Sequence, residues 1–246
     1  EVISWTYGHR TWQFDEIRDY VKSAPDDVML MQNFDDMGYE KQLGQMRQCV
    51  DYWLSYAGPS DLFRITAEAA GEAGKHMYAK MQVCCSHEIA SVPYIPAPGI
   101  LYRKYAEARR LGVEGVMQCW YFGNYPGVMN KAAGELSFDD FTDDEDTFLR
   151  KLAKPMWKDD ADKVAEVWKK FSDAYAEYPL SNDMQYYGPF HAGFSWPLYP
   201  AVSMRSLQRT WKPMETPGGD LLGEALADFT LEEAHECTKM MVKELE

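Results

Sequence analysis

Apolar runs of strand length alternate with amphipathic segments of helix length over residues 1–135. That alternation constrains the fold more than any other feature of the chain. Val2–Tyr7 is short and rich in β-formers. Phe14–Lys22 carries Ile17, Tyr20 and Val21 at helical spacing and stops before Pro25. Val28–Phe34 is almost continuously apolar, as a strand covered on both faces would be. A long segment over Asp35–Pro59 follows. Ser60 then caps a helix carrying Leu62, Phe63, Ile65 and Ala69, and Gly74 ends it. Met77–Val83 is the third strand, Leu101–Leu111 the next helix and Gly115–Tyr121 the fourth strand. Such an order implies parallel strands joined by right-handed crossovers.

Two α/β architectures satisfy this order, a (β/α)8 barrel and an open doubly wound sheet. No GxGxxG or Walker-type loop follows any strand, which removes the main support for a nucleotide-binding sheet. Chemically capable residues crowd behind each strand instead. His9 and Arg10 follow the first, Asp35 and Asp36 the second, His87 and Glu88 the third, and Tyr121 to Tyr125 the fourth. In a barrel those positions form the active-site rim. The reading is therefore the C-terminal half of a (β/α)8 TIM barrel over residues 1–135. A mainly helical C-terminal domain follows over residues 136–246, with capping boxes at Thr142/Glu145 and Thr230/Glu233. The helix after Asp160 sets Val164, Val167, Trp168, Phe171 and Tyr175 on one stripe. An aromatic-rich loop spans Tyr178–Gly219. The chain opens on Glu1 before an apolar stretch and closes at Glu246 inside a helical pattern. The expectation is a fragment, with the rest of the barrel upstream.

Composition narrows the function. Hydrophobic residues make up 46% of the chain, which excludes wholesale disorder. A net charge of −14 argues against nucleic acid as partner, because phosphate neutralisation needs clustered Lys and Arg. No apolar run approaches the roughly 20 residues that span a bilayer, and the start does not read as a secretory leader. Five cysteines form no CxxC pair and read as buried small apolar residues. Five histidines show no HxH or HExxH spacing, so neither a metal nor a cofactor is implied.

Glycoside hydrolysis uses two carboxyl groups flanking the scissile bond, about 5–5.5 Å apart for retention and wider for inversion. Glu88 at the end of the third strand is the first candidate, as nucleophile or stabiliser. Asp35 and Asp36 are candidates for proton transfer or for binding a sugar hydroxyl. On an extended chain only one of those two faces the mouth. Aromatic faces suit sugar rings, so Trp5, Trp120, Tyr121 and Tyr125 read as subsite walls, with Trp12 a further wall. Asn124, His9, Arg10 and His87 read as polar substrate contacts. A non-catalytic glycan-binding barrel is one alternative. A metal-dependent hydrolase using His9, His87 and Asp35 is another.

The run His87-Glu88-Ile89-Ala90-Ser91-Val92-Pro93-Tyr94-Ile95-Pro96 resembles a signature of bacterial glycoside-hydrolase-like (β/α)8 barrels. Asp51-Tyr52 with Gly58-Pro59-Ser60, Cys119 through Pro126, and Tyr186-Tyr187-Gly188-Pro189 resemble the same group. The resemblance implies a carbohydrate-active enzyme of the bacterial cytoplasm or periplasm, with Glu88 on the group's glutamate. His87 stands where the group often has Trp, so a stacking role does not transfer to it.

Overall fold

The computed structural model describes residues 2–7, 11–84, 95–118, 127–138, 141–181 and 229–246. Four strands, β1 (Val2–Trp5), β2 (Val28–Asn33), β5 (Met77–Met81) and β6 (Gly115–Gln118), form one parallel sheet in the order β1-β2-β5-β6. A separate antiparallel ribbon of β3 (Tyr39–Gln42) and β4 (Gln45–Gln48) interrupts the connection after β2. The helices are α1 (Phe14–Ser23), α2 (Asp61–Glu72), α3 (Pro98–Arg110), α4 (Val128–Leu136), α5 (Glu145–Trp157), α6 (Ala161–Ala176) and α7 (Leu231–Leu245).

This is a small mixed α/β fold, and it corrects the barrel reading. The four parallel strands are present, but the sheet stays open. Among the described residues no strand pairs with the outer side of β1 or of β6, and Val2 and Ile3 on β1 stand exposed. Strand–helix alternation is common to barrels and open sheets. Only the number of strands and their closure separate the two, and neither is a local property.

Local chemistry explains the elements. Leu30, Met77, Ala79 and Met81 are buried in the sheet against Ile17 and Val21 of α1 and Leu62 and Phe63 of α2. Gln13 and Glu16 cap the start of α1 reciprocally, and the Ser60 hydroxyl accepts from Phe63 N at 3.1 Å to open α2. The expected Thr142 box gives way to Asp144, whose carboxylate accepts from Thr147 N at 2.9 Å. Glu145 is then free to pair with Arg103 of α3 at 3.0 Å. The Thr230/Glu233 box at α7 forms as expected.

Helix α6 buries part of its apolar stripe, Trp168 and Tyr175, and leaves another part outside. Val167 and Phe171 are exposed, while Ala161, Ala165, Trp168, Ser172 and Tyr175 are buried. The reason lies at α3, where Gly99 N donates to Ser172 Oγ at 3.0 Å. A Cβ on Gly99 would lie 2.8 Å from that oxygen. Small residues let the helices meet closely there, so the buried face takes in Ala161, Ala165 and Ser172 and leaves Val167 and Phe171 outside.

Candidate functional site

In parallel sheets, ligand-handling groups gather beyond the carboxyl ends of the strands. Here Asn33 ends β2, and its register partner on β5 is Lys80. Neighbours in register share a face, so the amide and the ammonium lie side by side. Both are fully buried. Asp51, reaching in from the end of the β3–β4 ribbon, joins them. Its Oδ2 accepts from Asn33 Nδ2 at 2.5 Å. Its Oδ1 accepts from Tyr52 N at 2.8 Å and from Lys80 Nζ at 3.3 Å. A buried lysine needs a partner and hydrogen bonds to be tolerated. Lys80 has the carboxylate and, 3.8 Å away, the ring face of Tyr52.

Asp35 lies two residues beyond Asn33 and is also fully buried. Its Oδ2 accepts the backbone N–H of Trp53. Its Oδ1 has no hydrogen-bond partner among the described residues. Asp36 is equally buried, because the chain turns after Phe34 rather than running extended. Both carboxylates are therefore enclosed, although on an extended chain only one of them would face the mouth. Behind the cluster, Lys104 of α3 donates to Trp53 O at 2.6 Å, closing the site from below.

An aromatic rim adjoins these charges. Trp5 Nε1 donates to Asn33 Oδ1 at 2.8 Å. The Trp5 and Tyr7 ring centroids are 5.1 Å apart, and Tyr52 Oη donates to Tyr7 Oη at 3.2 Å. Tyr52 holds φ at +69°, a left-handed conformation that costs a non-glycine residue about 1–2 kcal/mol. The bond from its N–H to Asp51 keeps it there. Trp12 does not line this rim. It packs edge-on against Tyr20 of α1.

Of the residues expected from sequence, the structure brings Trp5 and Asp35 to this edge and buries Asp36 beside Asp35. Glu88, His87, His9, Arg10, Trp120, Tyr121, Asn124 and Tyr125 lie outside the described residues. Asn33, Lys80, Lys104 and the role of Asp51 escaped the sequence reading. One signal pointed to Lys80: a charge in the middle of the apolar run Met77–Met81 must find a partner if the strand is covered on both faces. Among the described residues no group of three or more His, Cys, Asp or Glu side chains is placed to hold a metal ion. None of their helices is long and apolar enough to cross a membrane.

Burial pushes the Asp51 carboxyl up to about 6, and the Asp35 charge adds to the rise, against the pull of Lys80 and of Tyr52 N–H. The folded state thus binds this proton more tightly than the unfolded chain does. Stability from this group is present at low pH and falls as pH rises from about 4 through about 6. Carboxylates of ordinary behaviour, such as the capping Asp144, work in the opposite direction. Comparing wild type with Asp51→Asn cancels them. The difference in melting temperature is expected to shift in favour of wild type as pH is lowered from 7 to 4.5. A difference that does not depend on pH would contradict the assignment.

No family model and no solved structure matches the chain. Among curated proteins it is similar to an RNA pyrophosphohydrolase of Hamiltonella defensa, 24% identical over 92 residues. The match covers 37% of this chain and 56% of the relative, so the chain spans little more than half of that protein's length. The relative is a hydrolase, in keeping with the expected reaction class, but one whose name carries RNA rather than a glycan. That similarity overturns the reading as a glycoside hydrolase, the carbohydrate as its substrate and the exclusion of nucleic acid. The charge argument erred in scope. A net charge of −14 opposes proteins that neutralise phosphates along a whole backbone; it says little about contact with one or a few phosphates.

Proposed function

We propose that the chain is a hydrolase of a pyrophosphate-bearing nucleic acid, RNA in the first instance, with its reacting groups at the carboxyl edge of β2 and β5. The observation that carries this reading is Asp35, a fully buried carboxylate with one oxygen held by Trp53 N–H and the other without a donor among the described residues. A buried acceptor left open is costly unless it is used. In the proposed reaction Asp35 Oδ1 takes the proton of a water whose oxygen bonds to phosphorus. The phosphoanhydride P–O bond breaks, and its electron pair leaves with the departing phosphate. Lys80 offsets the negative charge that builds on the phosphoryl oxygens, while Asp51 and Asn33 fix its position. The exposed ring of Tyr7 gives the neighbouring base a surface on which to stack. Support for the substrate class comes from the similarity to the RNA pyrophosphohydrolase alone.

The test is release of phosphate or pyrophosphate from a 5′-triphosphorylated RNA oligonucleotide. Asp35→Asn keeps the size of the side chain and removes the base. It is expected to lower turnover by about 10²–10³-fold, the scale of general-base catalysis. Release from RNA by wild type and undiminished release by Asp35→Asn would remove Asp35 from the role. No release by wild type would remove the substrate.

A further inference from the structure

The two carboxylates of the site stand on opposite legs of one ribbon. Asp35 and Asp36 precede β3, and Asp51 follows β4. The base of the ribbon is closed by backbone bonds: Gly38 N to Asp35 O at 3.0 Å, Cys49 N to Gly38 O at 2.9 Å and Met37 N to Val50 O at 2.9 Å. The Cys49 thiol adds a bond to Asp35 O at 3.1 Å. The packing leaves no slack here. A Cβ on Gly38 would meet the Tyr56 ring at 2.6 Å and Cys49 Sγ at 2.8 Å. The separation of Asp35 from Asp51 is thus set by how the ribbon lies.

The far half of the ribbon is fastened to the other end of the chain. Gln42, buried on β3, donates through Nε2 to Tyr178 O at 2.9 Å and accepts through Oε1 from Leu180 N at 2.8 Å. Arg47, buried on β4, donates to Glu233 Oε1 at 2.9 Å, and its guanidinium lies 4.0 Å from the centre of the Phe229 ring. Glu233 is also the residue that closes the capping box of α7. A third link runs back to the site. The Tyr178 ring lies 6.4 Å from that of Trp53, whose backbone N–H holds Asp35.

We propose that the β3–β4 ribbon is a clasp by which α7 and the segment after α6 set the spacing of Asp35 and Asp51, and that Arg47 is a positioning residue acting through it. This rests on the reading of Asp35 as the base and of Asp51 as the partner that holds Lys80, but it makes a claim that does not need turnover. The charged and titratable groups that face Asp51 are Lys80 from β5 and Asp35 beyond β2. Those around Arg47 are Glu233 and Cys237 of α7, with Glu177 beyond α6 nearby. Loosening the Arg47 end widens the gap between Asp35 and Asp51 and lets water approach both. Each change favours the ionised form of Asp51.

The experiment uses the full chain and its Arg47→Met and Arg47→Lys variants. The pH titration of the Asp51 carboxyl is followed by 13C NMR. In Arg47→Met the midpoint is expected to fall by at least about half a pH unit. Arg47→Lys, which keeps a cation for Glu233, is expected to return it towards wild type. An unchanged midpoint in a folded Arg47→Met overturns the proposal. If that variant does not fold, Glu233→Gln carries the same titration, since glutamine preserves the capping box and removes only the charge. Where RNA is hydrolysed, Arg47→Met is also expected to lower kcat about tenfold with little change in KM. Absent hydrolysis by wild type overturns the functional reading alone, because the titration needs no substrate.

Discussion

Lys80→Met is expected to lower the free energy of unfolding by about 3–5 kcal/mol, the scale on which removing one partner of a buried ion pair acts. The lysine and Asp51 are both fully buried, and their charged atoms are 3.3 Å apart. Methionine fills the stem's space but strands the Asp51 carboxylate. Asn33 and Tyr52 N–H still donate to it, but no longer beside a cation from β5, and Asp35 is nearby. Two checks separate this cause from loss of packing. The deficit is expected to shrink at pH 5, where Asp51 takes up its proton. Adding Asp51→Asn to Lys80→Met is expected to recover part of the loss, so the two changes couple. Urea denaturation followed by tryptophan fluorescence gives all three numbers. A loss below about 1 kcal/mol for Lys80→Met would mean that water reaches the pair and screens it.

Trp53→Ala is expected to be nearly as severe, at about 3–5 kcal/mol. The indole is fully buried between the sheet edge and Tyr178. Its backbone ties two buried charges, Asp35 through the N–H and Lys104 through the carbonyl. The ring nitrogen itself has no partner among the described residues. Trp53→Phe keeps most of the apolar volume and discards only that nitrogen. It is expected to cost less than about 1.5 kcal/mol, in the range of volume-preserving exchanges. Calorimetric melting of the two variants settles the comparison. Equal losses would show that the indole N–H, not the volume, matters at this position.

The parts of the fold legible in the sequence are those with a local signal. Val28–Asn33 and Met77–Met81 are mostly apolar, broken only by Gln32, Asn33 and Lys80 towards their ends. Ser60 and Thr230 are capping residues whose bonds reach only three residues ahead. The β3–β4 ribbon left no such mark. Its strands read YEKQ and QMRQ, with the larger apolar residues Tyr39 and Met46 exposed and Gln42 and Arg47 buried instead. Those two are buried by what they meet more than a hundred residues away, and no window of sequence holds both partners. The site divides along the same line. Asp35 was legible as an acid just past a strand. The partnership of Asp51 with Lys80 arises only when β5 is laid beside β2 and the ribbon folds back over their ends. The substrate class was misjudged for another reason: carboxylates and aromatic rings behind strands suit a nucleobase and a phosphate as well as a sugar ring, so their placement alone does not choose between them.

The chain order of the parallel sheet has a kinetic consequence. Each parallel strand pairs with the next parallel strand along the chain, so the sheet grows by successive short loop closures, each adding a strand–helix unit to the one before. Arg47 and Glu233 are separated by 186 residues. Their meeting closes a far longer loop than any in the sheet, so it belongs to the end of folding. By then the sheet that carries Asn33 and Lys80 has formed, while the leg bearing Asp51 is not yet locked.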